Sequence, residues 1–378
     1  MNFRNSATLA LIIILLIGIN PAYTTTSNAP ENIKWISKTV NVDGKDYRLS
    51  YVEIDATKGA VEIGLALAYQ QMWYRDDPDK IARFVDAPAA INGPFHNESG
   101  GWSQYLFDST IVENGKAMHI FNSGSQFCAT KSGNWYFGKL RFKMMGAVKE
   151  DLLPPSLKTI YVSGLNQPTA KNSTVLYTDD WRKKTPSDSV NVVIQGGVVT
   201  DVITGSINIP WGAYVLCYTG TNRERTYKSR WPKGYLRKGL HINIYWAPEA
   251  GNEVNLGTWR NCETIFGGSP TLVKYGKPYW NLEADNHQNY SALSYSSRRT
   301  AFGIDGNGKA FFVNFLDGIK VQEMGKVLVK LGVNYAFNLD GGCSTYLWYD
   351  GAERIENCRP LPGVIYVKPR KVPPTTNP

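Results

Sequence analysis

The stretch Ala336-Phe337-Asn338-Leu339-Asp340-Gly341-Gly342-Cys343-Ser344-Thr345 decides how this chain is interpreted. A short apolar run ends in an amide and a carboxylate, and two glycines, a thiol and two hydroxyls follow. Glycine has no Cβ, so it permits φ > 0 and lets a ligand approach the backbone closely. Because stability alone rarely asks for so many polar groups at one strand end, we predict a buried strand that delivers Asn338 and Asp340 into a site.

The sequence on either side of that stretch predicts strands and tight turns with few helices. Residues 300–304 and 310–315 predict a hairpin closed by Gly306-Asn307-Gly308. Apolar residues at helical spacing predict a helix over 321–331, directly before the site strand, and Gly332 suits its C-terminal cap. We therefore predict the α+β class, with a single domain built on a large mixed or antiparallel sheet.

The N-terminal half predicts a second strand end that carries an amide. A hairpin is expected from residues 40–42 and 47–54. A short helix is expected to start at Pro78 with Asp77 as its N-cap, and with Ile81, Phe84 and Val85 on one face. A buried strand over 89–91 then delivers Asn92 and Gly93.

The N-terminus predicts export. Arg4 precedes an apolar run over 9–19 that is too short to span a bilayer comfortably, and Pro21-Ala22 follows. This pattern predicts a secretory signal peptide over 1–22. A polar spacer over 23–34, a folded domain over 35–370 and a disordered tail over 371–378 complete the predicted organisation. The protein is therefore expected to be secreted, and its 5 cysteines fit an oxidising compartment.

Charge and composition limit the class of partner. The net charge of +9 admits nucleic acid, an anionic cell envelope or glycan, or an anionic small substrate. No helix-turn-helix, zinc finger or RNA-binding motif is present, so no nucleic acid partner is expected. Aromatic residues make up 12% of the chain, and a surplus of Trp and Tyr suits stacking on sugars. The sequence leaves the oligomeric state open.

The chemistry-bearing residues have more than one interpretation. Asp340 could act as a general base, bind a hydroxyl or ligate a hard cation, so calcium or magnesium stays open although no cofactor is firmly implied. Arg299 supplies a fixed cation suited to phosphate or carboxylate. His96 is either a site residue or a plain loop residue. Cys343 is either a nucleophile or a half-cystine, with Cys358 as a candidate partner.

Several of these segments, in this order, resemble the phosphodiester glycosidase family. The segments are Ala89-Ala90-Ile91-Asn92-Gly93-Pro94-Phe95, Gly267-Gly268-Ser269-Pro270-Thr271-Leu272-Val273, Arg299-Thr300-Ala301-Phe302-Gly303-Ile304, Asn338-Leu339-Asp340-Gly341-Gly342 and Arg359-Pro360. One departure is Cys343, which stands where the family usually has a third glycine.

The resemblance implies hydrolysis of a sugar-1-phosphodiester at the anomeric carbon, giving free sugar and a phosphomonoester. It implies a carbohydrate-phosphate substrate and catalytic roles for Asp340, Arg299 and Asn338. The substrate-binding residues that it implies are Asn92, Gly93, His96, Gly267, Gly268, Thr300, Gly341, Gly342, Ser344 and Thr345. Two alternatives stay open: a non-catalytic carbohydrate- or envelope-binding protein of the same fold, and a hydrolase that uses the Cys343 thiol.

Overall fold

The computed structural model describes residues 29–96, 106–150, 158–223, 236–287 and 291–370. The predicted signal peptide, residues 23–28 of the predicted spacer and the predicted tail over 371–378 lie outside these ranges. In the described part of the chain, no helix has the length and apolar composition needed to cross a membrane.

The described strands form four sheets, and a seven-stranded antiparallel sheet carries the site stretch. In spatial order its strands are β1 (Ile33–Val42), β2 (Lys45–Asp55), β21 (Lys309–Ile319), β20 (Ser297–Ile304), β22 (Tyr335–Asn338), β18 (Thr271–Lys274) and β19 (Lys277–Pro278). The predicted hairpins and the site strand are therefore present. Strand β22 lies in the interior of the sheet, where hydrogen bonds to both neighbours fix its position.

The other three sheets are also largely antiparallel. An eight-stranded sheet has the order β10 (Thr159–Tyr161), β9 (Phe142–Lys149), β16 (His241–Pro248), β14 (Val198–Thr204), β13 (Ser189–Gln195), β15 (Tyr214–Thr219), β12 (Thr174–Tyr177) and β11 (Gly164–Leu165). A five-stranded sheet has the order β6 (Lys116–His119), β5 (Ile111–Glu113), β17 (Cys262–Gly268), β7 (Ser125–Thr130) and β8 (Trp135–Gly138). Another has the order β24 (Ala352–Ile355), β23 (Leu347–Tyr349), β4 (Ala89–Asn92), β25 (Gly363–Pro369) and β3 (Val61–Leu67). The pairing of β11 with β12 is parallel, so the sheets are mixed as predicted.

The helices of the described ranges are short and few. They cover Pro78–Phe84, Leu256–Arg260, Ser291–Ser294 and Val321–Lys330. The segment that follows Asp340, Gly342–Ser344, is one turn of 3₁₀ helix. The helix Val321–Lys330 ends as predicted, because Gly332 takes φ +87°, a conformation that favours glycine. The predicted α+β class with large antiparallel sheets and few helices is confirmed.

The helix Pro78–Phe84 differs from its prediction in two respects. The side chain of Asp77 makes no capping hydrogen bond. Phe84 is 64% exposed, whereas Ile81 is 4% exposed, so the two residues do not share a buried face. The helix has only 7 residues, and it buries Pro78, Ile81 and Ala82 against the sheet. The apolar spacing therefore predicted a buried position for Phe84 wrongly.

An aromatic core holds the site strand rigidly from beneath. Phe302 of β20 and Phe337 of β22 stack with their ring centroids 5.4 Å apart. Phe127 and Phe266 from the five-stranded sheet pack against Phe302 at 4.8 Å and 5.2 Å. Each of these rings is completely buried. Aromatic pairs of this kind add about 0.5–1.5 kcal/mol beyond the area that they bury, so the strand end has little freedom to move.

Candidate active site

Asp340 follows β22 directly, and its carboxylate is held from its own backbone. The side chain is nearly buried, and Oδ1 accepts a hydrogen bond of 2.9 Å from the Gly341 amide. A Cβ on Gly341 would lie 2.8 Å from the carbonyl oxygen of Arg298, which explains the glycine. Gly342 takes φ +60° and begins the 3₁₀ turn. The two glycines therefore allow the backbone to turn closely beside the carboxylate.

Arg359 binds the other oxygen of that carboxylate. Its Nη2 donates to Oδ2 of Asp340 at 2.8 Å, and its Nε donates to Oγ of Ser344 at 2.7 Å. The disulfide between Cys343 and Cys358 joins the residues that precede Ser344 and Arg359. The guanidinium is thus anchored at both ends of the Asp340 turn.

Because Cys343 is bonded to Cys358, its sulfur is not a free thiolate nucleophile. The half-cystine interpretation is confirmed, and the thiol-hydrolase alternative is wrong. A second disulfide joins Cys128 to Cys262 between β7 and β17. The remaining cysteine, Cys217, is a buried thiol in the core, and burial raises its pKa to about 12. A thiol with that pKa is a poor nucleophile at neutral pH.

His96 lies against Asp340. Its Nδ1 is 3.5 Å from Oδ2 of Asp340, and its side chain is only 1% exposed. The backbone of His96 forms a β-bridge with Phe107, and the ring packs edge-on to the Phe107 ring. The structure places His96 next to the Asp340 carboxylate, and its predicted contact with substrate stays a prediction.

Asn92 fastens the Asp340 backbone to the neighbouring sheet. Its Nδ2 donates to the carbonyl oxygen of Asp340 at 2.7 Å. Its Oδ1 accepts from Oγ1 of Thr300 at 2.9 Å and from the amide of Tyr346 at 3.2 Å. The amide is completely buried, so breaking this network would leave buried polar groups unpaired. These contacts make Asn92 and Thr300 positioning residues; the predicted contact of either one with substrate stays a prediction.

A second carboxylate, Asp108, lies close enough to Asp340 to be affected by its charge, and it was not among the sequence candidates. Its amide donates to the carbonyl oxygen of Phe95 at 2.7 Å, next to His96. Burial, reinforced by the charge of Asp340, raises the pKa of Asp108 to about 6. A carboxyl group with that pKa can hold a proton at mildly acidic pH and give it up, as a general acid must. Asp108 follows an apolar pair without a glycine, so the local sequence gave no signal for it.

Arg299 is a buried cation on the same side of the site. It is 2% exposed, its Nη2 donates to the carbonyl oxygen of Tyr295 at 2.8 Å, and its guanidinium lies 5.1 Å from the centre of the Tyr295 ring. Burial lowers the pKa of Arg299, and the charges of Tyr295 and Asp340 oppose that shift. Arginine nevertheless keeps its proton in proteins. Arg299 is therefore a buried cation and does not belong to a surface ion pair of the kind that most arginines form.

Other predicted residues lie beneath the site. Asn338, Ser344 and Thr345 are completely buried, and Nδ2 of Asn338 donates to the carbonyl oxygen of Ser269 at 3.3 Å. Gly268 has no room for a Cβ because the carbonyl of Asn338 occupies that space, and Gly267 is equally confined by Gln126. Close packing of β17 against β22 explains Gly268, and close packing against β7 explains Gly267. Their predicted contact with substrate, and that of Gly93, stays a prediction.

In the described ranges, no group of three or more His, Cys, Asp or Glu side chains is arranged to hold a metal ion. The arrangement is instead a pair of carboxylates, Asp108 and Asp340, with a histidine and two guanidinium groups close by. Such a set can hold an anionic group and exchange protons.

The sequence profile described as phosphodiester glycosidase matches residues 188–368 of this chain. The predicted resemblance to that family is confirmed over this range. The match includes Arg299, Asp340 and Arg359, whereas Asn92, His96 and Asp108 come from the part of the chain before it. No curated protein sequence matches the chain significantly.

Solved structures share the fold. A hypothetical protein from Synechocystis has a TM-score of 0.75 at 20% identity over 90% of this chain. The chain spans 62% of that protein's length. A putative exported protein from Burkholderia pseudomallei has a TM-score of 0.66 at 16% identity, with 86% of this chain and 74% of that chain covered. The auto-inhibited catalytic domain of zebrafish N-acetylglucosamine-1-phosphodiester alpha-N-acetylglucosaminidase has a TM-score of 0.46 at 14% identity, over 91% of this chain and 85% of that one.

Proposed function

From the match to the phosphodiester glycosidase family over residues 188–368, we propose that this protein hydrolyses a sugar-1-phosphodiester at the anomeric carbon. The observation that carries the proposal is the Asp340 carboxylate, which is held by Arg359 and the Gly341 amide and whose charge helps to raise the pKa of a second carboxyl group, Asp108. An N-acetylglucosamine-1-phosphodiester is the substrate that we propose first.

The positive groups suit the phosphate. Arg359 binds Asp340 directly, Arg299 lies close enough for its charge to interact with that of Asp340, and Arg298 donates weakly to the Gly342 carbonyl at 3.4 Å. A planar guanidinium can bind two phosphate oxygens at once, which fixes the diester's orientation. Because the substrate carries only one negative charge, two guanidinium groups are enough to bind its phosphate.

The reaction that follows breaks the bond between C1 and the bridging oxygen. The electron pair of that bond goes to the phosphate oxygen, and the oxygen of water bonds to C1. Asp340 stabilises the positive charge that develops on the sugar ring and accepts the proton that water loses. Asp108, when protonated, gives its proton to the departing phosphate oxygen. The phosphomonoester is a good leaving group, so this proton donation adds to the rate without being indispensable.

We also propose that the protein acts outside the cytoplasm. Two disulfides are present in the described residues. Disulfides persist mainly in oxidising compartments. A structural relative is described as a putative exported protein, which agrees with the predicted signal peptide. A carbohydrate-phosphate of the cell surface would be accessible to such a protein.

The test uses the purified protein and a panel of sugars linked through phosphate to a simple alcohol, beginning with N-acetylglucosamine. Free sugar and phosphomonoester are measured with and without a chelator. We expect both products to form in equal amounts with the wild type and to fall by about 10³-fold or more in Asp340→Asn. The matched control is Asp317→Asn, because Asp317 pairs with Arg48 at the surface.

Either of two outcomes would reject the proposal. Full activity in a folded Asp340→Asn variant would remove Asp340 from the mechanism. Binding of the panel without turnover by the wild type would instead favour the non-catalytic carbohydrate-binding protein. Loss of activity in chelator would show that a metal takes part.

A further inference from the structure

A cavity lies at the far end of the strands that carry the candidate active site. It has a volume of about 420 Å³ and is lined by β8, the edge strand of its five-stranded sheet, and by the turn that joins β20 to β21. Tyr335, the first residue of β22, and Ile304, the last residue of β20, form its wall. The site residues Arg299 and Asn338 lie at the opposite ends of these two strands.

The distance between the two places follows from strand geometry. Five residues separate Arg299 from Ile304 along β20, which at the usual rise of a strand corresponds to roughly 17 Å. None of the site residues discussed above lines this cavity. A ligand in the cavity would therefore not touch Asp340, and its binding can be measured independently of the reaction.

Aromatic rings form much of the cavity surface. Trp135, Tyr136 and Phe137 are consecutive residues of β8, and each is half-buried. The Phe137 ring packs against Tyr335 with 5.5 Å between ring centroids, and the Trp135 ring packs edge-on to buried Phe127. The rings are thus fixed in place while part of their surface stays accessible. Rigid rings with a polar atom at one end are what the apolar faces of sugars stack on.

The charges around the cavity balance. Asp305 and Lys309 supply one charge of each sign among the lining residues. The Asp305 carboxylate accepts the amides of Asn307 and Lys309, each at 2.8 Å, and the Lys309 ammonium pairs with Glu53 at 2.7 Å. Both charged groups therefore already have partners within the protein, and neither is directed at a charged ligand. The cavity suits a neutral molecule, in contrast to the cationic surroundings of Asp340.

We propose that this cavity is a binding site for a neutral sugar unit of a glycan, separate from the catalytic centre. Its volume lies within the range of small-molecule sites in proteins. The aromatic strand β8 would stack on the sugar, and the exposed Asn134 side chain and the backbone of the β20–β21 turn would bind its hydroxyls. Attachment of a glycan chain here would raise the local concentration of other units of the same chain near the catalytic centre.

The test measures binding of neutral trisaccharides to the full chain by calorimetry and tryptophan fluorescence. The probes are tri-N-acetylchitotriose, cellotriose and maltotriose. We expect at least one to bind at micromolar to millimolar concentration, and Trp135→Ala and Tyr136→Ala each to weaken that binding by about tenfold or more. Trp211→Ala is the matched control, because Trp211 is 77% exposed and does not line the cavity. Asp340→Asn should bind the trisaccharide as the wild type does.

Three results would overturn the proposal: binding of no trisaccharide by the wild type, unchanged affinity in both β8 variants, or equal loss in the Trp211→Ala control. Thermal melting identifies a variant that has lost its fold, and Tyr136→Ala then carries the test if Trp135→Ala fails. Hydrolysis of phosphodiesters is a separate measurement, so the failure of either proposal leaves the other standing.

Discussion

Arg359 donates from Nη2 to Oδ2 of Asp340 at 2.8 Å across 19 residues of sequence. The same guanidinium uses Nε to bind Ser344 in the 3₁₀ turn that follows Asp340. One side chain therefore fixes both the orientation of the carboxylate and the turn that carries it. A carboxylate held in this way has a fixed orientation. His96 lies 3.5 Å from it, and Arg299 and Asp108 are close enough to interact with its charge.

We predict that Arg359→Ala lowers kcat by about 10²-fold, because it removes a charge-assisted hydrogen bond from a nearly buried carboxylate. Arg359→Lys should keep part of the activity, since an ammonium supplies the charge but not the two-pronged geometry. Steady-state kinetics on a sugar-1-phosphodiester measures both. Equal activity of Arg359→Ala and the wild type would show that the contact is only structural.

The Cys343–Cys358 disulfide should support activity as well as stability. It lies beside the Asp340–Arg359 contact and closes a short loop, for which the chain-entropy model gives about 3 kcal/mol. We predict that Cys343→Ala/Cys358→Ala lowers both the melting temperature and kcat. Cys128→Ala/Cys262→Ala is the control, because that disulfide lies in the five-stranded sheet and should change only the melting temperature. An equal kcat in the two double variants would contradict a role of the Cys343–Cys358 disulfide in activity.

The pH dependence of activity should report Asp108. Its pKa is raised to about 6 by burial and by the charge of Asp340. A general acid must be protonated, so kcat should fall as the pH rises through about 6. Asp108→Asn cannot donate the proton, and its lower rate should show no such fall. An unchanged descending limb in Asp108→Asn would assign the titration to another group.

The raised pKa of Asp108 also has a consequence for stability. The folded state binds this proton more tightly than the unfolded state, whose pKa is near the ordinary value. The contribution of Asp108 to stability is therefore full below about pH 4 and is lost as the pH rises to about 6. Denaturant titrations at a series of pH values should show a smaller decline over this window in Asp108→Asn than in the wild type. Parallel profiles for the two proteins would contradict the raised pKa.

Tyr295 should contribute to substrate binding at the mouth of the site. Its ring and its carbonyl oxygen both contact Arg299, yet Tyr295 is 57% exposed. We predict that Tyr295→Ala raises KM a few-fold, in line with about 1 kcal/mol for an exposed cation–π contact, whereas Tyr295→Phe stays near the wild type. Tyr275→Ala is the control, because Tyr275 is similarly exposed but packs on Tyr335 at the far end of β22. A KM increase of the same size in both alanine variants would point to a general effect on stability.

Local pattern was enough to predict the strands around the site. The apolar runs over 300–304 and 310–315 on either side of Gly306-Asn307-Gly308, the helical spacing after them and the polar end of β22 are all short-range signals. They placed Asp340 at a strand end. The disulfide partner of Cys343 was named only as a candidate, since spacing alone does not fix connectivity.

Long-range packing determined what the sequence could not give. Asp108 lies near Asp340 because the backbone of Phe107 forms a β-bridge with that of His96. No local sequence pattern predicts that contact. Arg359 belonged to a recognised motif, yet only the fold shows that it binds Asp340. The substrate contact predicted for Asn92 stays a prediction, and the structure adds that its amide joins the Asp340 backbone to Thr300 and Tyr346. An asparagine at a strand end looks the same in sequence in either role.

The most direct test of the central claim is the position of bond cleavage. The wild type is allowed to hydrolyse N-acetylglucosamine-1-phosphodiester in water enriched in ¹⁸O, and the phosphomonoester product is examined by mass spectrometry. Cleavage at the anomeric carbon puts the oxygen of water on the sugar, so the account predicts a phosphomonoester free of ¹⁸O. One atom of ¹⁸O in the phosphomonoester would show attack at phosphorus and would contradict the assignment of Asp340 to chemistry at C1.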